Sequence, residues 1–156
     1  IIIMIRISTR TLYGLRAIIY MGLNKEKWPI SLSEVAKRQN IPLRYIEQIF
    51  IKLRKTGIVK SIRGTKGGYV LKQDYENITL LEVLEAAEGK VIPVWCLNPM
   101  YKKKCPIVED CILADVWREL GERIKNYLGN VKLKDLLIKA KESNFIELIE
   151  KMGIKK

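Results

Sequence analysis

Cys96, Cys105 and Cys111 are the residues of this chain best suited to chemistry. Eight residues separate the first pair and five the second, and Pro93, Pro99 and Pro106 punctuate the segment around them. Thiolates ligate iron-sulfur clusters and zinc, and an irregular loop lets three sulfurs converge on one centre. Cys111 precedes a long predicted helix, whose dipole favours an anionic thiolate or cluster at that end. Lys102, Lys103 and Lys104 act in the same sense. The spacing is not a four-cysteine ferredoxin run, which argues against an electron carrier. Zinc held by the three thiolates of an interaction protein is a second reading, and three unligated thiols in a reducing compartment are a third. The chain has no histidine, which removes Ser-His-Asp and Cys-His nucleophiles, histidine-ligated zinc and the usual general base near neutral pH. No phosphate-cradling loop is present either. The expectation is a protein that is not an enzyme, with chemistry by cysteine or carboxylate alone left open.

A second group of residues suits contact with a polyanion. The 156 residues carry a formal net charge of +12 at pH 7, which favours nucleic acid over membrane as partner. A Lys-rich solvated surface of the kind found in heat-loving organisms is the plainer alternative. Arg44, Glu47, Gln48 and Lys52 fall opposite the apolar positions of a predicted helix and are free to meet base edges, where Arg matches guanine, Gln adenine and Glu cytosine. Arg63, Gly64, Lys66, Gly67 and Gly68 follow in a glycine-rich turn. A guanidinium there suits a narrow, electronegative minor groove, and Lys66 suits a phosphate. The three glycines are expected to supply positive backbone dihedrals and close approach, a plain tight turn being the alternative. Glu47 facing phosphates costs affinity and is explained by exclusion of wrong sequences.

These side chains need elements to hold them. The apolar residues Leu12, Leu15, Ile18, Ile19 and Leu23 recur at helical spacing and predict a first helix over 8–23, capped by Ser8 or Thr9. Trp28-Pro29-Ile30 breaks it, and Ser31 or Ser33 caps a short helix that turns Val35 and Ala36 inward. Asn40-Ile41-Pro42 is a turn. A third helix spans about 43–56, with Ile46, Ile49, Phe50 and Leu53 buried and Gly57 just past its end. Two strands, 58–62 and 69–71, form a hairpin around the glycine turn. Thr79 caps a helix carrying Leu80, Val83, Leu84 and Ala87 that stops near Gly89. Residues 90–110 are a loop long enough to be functional. Beyond Cys111, Leu113, Val116, Trp117, Leu120, Ile124, Tyr127 and Leu128 make an apolar stripe too wide for a lone surface helix. A second copy of the chain is its natural partner, and packing on the N-terminal domain is the alternative. A last helix carries Phe145, Leu148, Ile149 and Met152.

The fold class expected is mainly α with a small β wing: a winged helix-turn-helix domain at 4–89, a cysteine loop at 90–111, and a dimerisation helix with a C-terminal helix at 112–156. Met4 is the expected start, with Ile1 to Ile3 set aside. An odd cysteine count and the lack of a signal peptide predict a cytoplasmic location, and no apolar run of about 18 residues predicts a membrane span.

The order of Arg6-Ile7-Ser8-Thr9-Arg10, Tyr13-Gly14-Leu15-Arg16-Ala17, Tyr45-Ile46-Glu47-Gln48-Ile49-Phe50, Ile62-Arg63-Gly64, Gly67-Gly68-Tyr69 and the three cysteines resembles a known family. These are the bacterial winged-helix transcription regulators typified by the iron-sulfur regulator IscR, the nitric-oxide sensor NsrR, the iron-responsive RirA and the cysteine-metabolism repressor CymR. The likeness runs from Met4 to about Leu137. It implies a homodimer on a double-stranded operator, acting as a repressor, with Glu47 and its neighbours reading sequence and Arg63 in the minor groove. It also implies a [2Fe-2S] or [4Fe-4S] cluster on Cys96, Cys105 and Cys111 that senses cluster status, nitric oxide or redox state. In cluster-bearing relatives the fourth ligand is a histidine three residues after the last cysteine, or an acidic residue in helix one of the partner. The matching positions here are Ala114 and Leu12, which cannot ligate iron. The fourth site is then filled by a small molecule, water or a side chain such as Glu109, Asp110 or Asp115. The alternative is a cluster-free regulator of cysteine and sulfur metabolism controlled by its thiols or by a partner.

Overall fold

The computed structural model describes residues 7–100, 105–107, 109–145, 147, 148 and 151. Ile1 to Ile3, Met4, Arg6, Lys102 to Lys104, Ile149 and Met152, singled out above, lie outside them. Six helices and one hairpin follow in the order α1 (Thr9–Leu23), α2 (Leu32–Gln39), α3 (Leu43–Lys55), β1 (Val59–Ile62), β2 (Gly68–Leu71), α4 (Leu80–Glu88), α5 (Ile112–Asn130) and α6 (Leu133–Glu142).

α1 is the central helix and touches α2, α3, α4, α6 and β2. Of the predicted stripe, Ile18 and Ile19 are buried and Leu15 and Leu23 pack partly buried on the core, but the buried surface is wider than that stripe and excludes Leu12. Gly14, Ala17, Ile18, Tyr20 and Met21 are buried, whereas Leu12 is 49% exposed. A helix surrounded by neighbours buries most of its circumference, and small residues mark the close approaches.

α2 begins at Ser31, whose hydroxyl accepts from the Glu34 amide at 3.2 Å, and ends at Asn40 in the left-handed conformation. Asn tolerates that conformation. Pro42 then opens α3, which buries Ile46, Ile49, Phe50 and Leu53, the predicted set. α2 and α3 pack on each other and on α1.

The hairpin pairs Val59 with Leu71 and Ile62 with Gly68. Tyr69 exchanges two backbone hydrogen bonds with Ile30, at 2.8 and 3.0 Å, so the connection between α1 and α2 is stitched to the wing. Of the three wing glycines, only Gly64 has a positive φ, at 123°. Gly67 and Gly68 are required for a different reason: a Cβ would fall 2.4 Å from the Ile62 carbonyl oxygen and 2.5 Å from that of Ile30, respectively.

Thr79 caps α4 with a full capping box. The Glu82 amide donates to its hydroxyl, and the Glu82 carboxylate accepts from its backbone N–H. At the C-terminal end the chain returns. Leu133 N–H donates to the Ile78 carbonyl at 2.7 Å, and Leu133, Leu137 and Ala140 of α6 join the same core as α1 and α3. The final helix placed by sequence begins only at Phe145, which is partly buried on that core. The helix at 133–142 was not predicted from the sequence, although Leu133, Leu136, Leu137 and Ala140 recur there at helical spacing.

Candidate nucleic-acid interface and thiol loop

The burial of Ile46, Ile49, Phe50 and Leu53 turns the opposite side of α3 outward, and Arg44, Glu47, Gln48, Ile51, Arg54 and Lys55 are all exposed there. Arg44, Gln48, Ile51 and Lys55 form one straight row, spaced four, three and four residues apart. Ile51 and Lys55 were missed by a reading that stopped at hydrogen-bonding types near the helix start, although the helical period alone places them in line. Arg63, Gly64 and Lys66 are exposed at the tip of the wing.

Lys52 is not free, as the sequence had led us to expect. Its amine donates at 2.7 Å to the carbonyl of Ala87 in the last turn of α4. A cation there answers the negative end of the helix dipole. Lys52 still borders a cleft of about 360 Å³ lined by Arg10, Arg44, Tyr45, Gln48 and itself. None of these five lining residues is acidic. Arg10, at the start of α1, was not predicted as part of this surface.

Two contacts hold the cleft in shape. The Glu88 carboxylate accepts from the Ser8 backbone N–H at 3.0 Å and from the Thr11 hydroxyl at 2.5 Å, tying the start of α1 to the end of α4. Partial burial pushes Glu88 upward, but these hydrogen bonds and nearby Arg10 outweigh it, and its carboxyl stays below the ordinary glutamate range. On the other side, Arg16 donates to the Gln39 carbonyl at the end of α2. Its guanidinium lies 5.8 Å from the Tyr13 ring centre, and Tyr13 meets Tyr45 edge to face at 6.1 Å. Burial lowers the Arg16 pKa, with the Tyr13 interaction opposing. The helix-turn-helix is thus pinned to α1 at the turn and at the outer face of α3.

Cys96 sits in a single helical turn over Trp95–Leu97, and Cys111 is the N-cap of α5 with no side-chain capping bond. All three thiols are half-buried and free of disulfides. Among the described residues no three Cys, Asp or Glu side chains are gathered closely enough to hold a metal ion. Sequence had placed the three sulfurs in one loop, and all three lie on the segment between the end of α4 and the start of α5. Of the proposed fourth ligands, Asp115 is paired with Arg118 and exposed. Ala114 is 4% exposed, so its methyl group is sealed against the protomer.

α5 buries a narrow seam of Ala114, Gly121 and Leu128, seven residues apart. Gly121 sits close to the loop there, since a Cβ would fall 3.1 Å from the Pro93 ring, a tight contact. Beside the seam, Leu113, Val116 and Tyr127 remain exposed, Tyr127 at 70%. Trp117, Leu120 and Ile124 are partly covered.

A helix-turn-helix whose second helix presents a polar row, followed at once by a two-stranded wing, defines a winged helix-turn-helix DNA-binding protein. The model of the Rrf2 family, described as iron-dependent transcriptional regulators, matches residues 7–139. The chain belongs to the Rrf2 family of transcription regulators. It is 35% identical over 132 residues to the HTH-type transcriptional regulator IscR of Xenorhabdus nematophila, covering 85% of this chain and 79% of that one. Among solved structures it is similar to CymR, the global cysteine regulator of B. subtilis, with 32% identity and a TM-score of 0.68 over 87% of this chain and 98% of that one. It is also similar to T. potens IscR, with 28% identity and a TM-score of 0.69 over 89% and 90%. Among the described residues no helix is long and apolar enough to cross a membrane.

Proposed function

We propose that this chain is a homodimeric repressor whose affinity for its operator changes with occupancy of an iron-sulfur site on Cys96, Cys105 and Cys111. The observation that carries the reading is the location of three free, half-buried thiols on the segment that joins the DNA-reading unit to α5. Three thiolates suit a cluster, and the N-terminus of α5 at Cys111 favours its negative charge. When bound, the cluster supplies a redox- and nitric-oxide-sensitive centre. The chain's own part would be to bring the three thiols to one centre and so set the angle at which α5 leaves α4. α5 offers Leu113, Val116 and Tyr127 to a second copy, so this angle sets the separation of two α3 helices and two wings on paired half-sites. Arg44, Glu47 and Gln48 read the major groove, Arg63 enters the minor groove, and Gly64 and Lys66 meet the backbone. A hundredfold change in affinity needs about 2.7 kcal/mol of differential binding.

Protein purified without oxygen tests this directly. The expected result is visible charge-transfer absorption, near-equal iron and acid-labile sulfide per chain, and a difference in operator affinity between cluster-loaded and cluster-free dimer in gel shifts. Equal affinities would remove the switch. The second reading, a cluster-free regulator of sulfur metabolism, is favoured by the methyl of Ala114 and the exposed Leu12 where a fourth ligand is required, and by the likeness to a global cysteine regulator. A colourless protein that resists reconstitution but binds its operator would establish it.

A further inference from the structure

We propose that Ile51 reads the methyl group of a thymine in each operator half-site. The inference rests on the reading of α3 as the helix that enters the major groove.

Ile51 is 40% exposed, with its β-branched apolar side chain in the middle of the polar row. Gln48 precedes it by one turn and Lys55 follows by one turn, and both are exposed. The core-facing residues Ile46, Ile49, Phe50 and Leu53 lie on the far side of the helix, so Ile51 has no place in the fold's interior. At about 1.5 Å of rise per residue, Arg44 and Ile51 are roughly 10 Å apart along the axis, close to three base-pair steps of about 3.4 Å. A helix seated by Arg44 and Gln48 therefore carries Ile51 over the same stretch of groove. Among the groups displayed in the major groove, only the thymine C5-methyl is apolar, and it is the one feature that an isoleucine can match. A guanine or cytosine edge at that position leaves polar groups against a hydrocarbon side chain without hydrogen bonds. Ile51 thus selects for thymine and against G·C pairs, beside the adenine that suits Gln48.

A single exposed isoleucine with no ligand is common on protein surfaces, and the experiment separates that case. Full-length protein is used to select its preferred site from randomised duplexes, and each thymine of the selected half-site is then replaced by deoxyuridine, which removes only the methyl group. One position is expected at which this lowers wild-type affinity about fourfold per half-site, the equivalent of about 0.8 kcal/mol for one buried carbon. Ile51→Ala is expected to be insensitive to deoxyuridine at that position, to keep the wild-type response elsewhere and to melt as the parent does. Ile51→Val is expected to retain the sensitivity. An Ile51→Ala protein with the same deoxyuridine profile as wild type overturns the proposal while leaving the DNA-reading surface intact. A wild-type chain that selects no sequence overturns both.

Discussion

Alanine at Gly22 is expected to have opposite effects depending on what stands at position 137. A Cβ on Gly22 would lie 2.9 and 3.1 Å from the two terminal methyl carbons of Leu137 on α6. Carbon contacts settle near 3.5 to 4.0 Å, so one side chain must give way, at a cost of about 1–3 kcal/mol in a packed core. Leu137 is buried but its methyl ends can rotate, which favours the lower part of that range. Against it stands a gain of about 1 kcal/mol for alanine over glycine inside a helix. Gly22→Ala alone is therefore expected to be neutral to destabilising by about 2 kcal/mol. Leu137→Ala alone leaves a cavity and costs about 2–5 kcal/mol. In the Leu137→Ala background the obstructing methyls are gone, and Gly22→Ala stabilises by about 1 kcal/mol. The coupling between the two positions is then about 1–3 kcal/mol. Urea unfolding of the four proteins at one protomer concentration measures it, the fixed concentration being needed because association adds to apparent stability. If Gly22→Ala has the same effect in both backgrounds to within about 0.5 kcal/mol, α6 does not dock on α1 as described.

Gln39 is fully buried and its side-chain amide has no protein partner, so Gln39→Met, of similar volume, is expected to stabilise by about 1–2 kcal/mol in thermal melts. Destabilisation would show that ordered water serves the amide in solution. Arg63→Ala is expected to cost about 1–3 kcal/mol of specific binding, read by fluorescence anisotropy on the operator, and an unchanged affinity would remove Arg63 from the interface. Lys52→Met, by contrast, is expected to leave the salt dependence of DNA binding unchanged and to cost about 1 kcal/mol of stability through loss of its bond to the Ala87 carbonyl; a slope reduced by about 0.9 would mean that Lys52 meets a phosphate instead. For Glu82, burial raises the pKa, but hydrogen bonds from Thr79 and the Lys72 ion pair outweigh it and hold the carboxyl below its usual range. Its folded-state pKa is thus depressed. The stability it contributes is present above the unfolded value of about 4.3 and is lost as pH falls through the folded value. Glu82→Gln is expected to lose about 0.5 kcal/mol at neutral pH and to show a flatter acid limb below pH 4.3, measured by melting temperature against pH. An unchanged acid limb would refute that assignment.

The sequence by itself determined the elements whose information is local. The period of Ile46, Ile49, Phe50 and Leu53 placed α3 and its outer face. Gly64 marked the wing, Thr79 with Glu82 marked the start of α4, and the prolines around Cys96 and Cys105 marked a loop. The order of these motifs was enough to show the family. Tertiary structure alone decided what depends on contacts between distant segments. Leu12 faces outward because α1 is surrounded on its other sides, which no count of leucines within one helix reveals. Lys52 is tied up by a carbonyl 35 residues away. Gly22 makes the close contact with α6, and Ala114 and Gly121 are buried on α5, but small residues carry almost no hydrophobic signal in a sequence. Gly67 and Gly68 are excluded from bearing a Cβ by neighbouring backbone rather than by their own dihedrals. The physical reason is common to all of these: periodicity reports which side of a segment prefers to leave water, but the neighbour that receives it is set by the global packing.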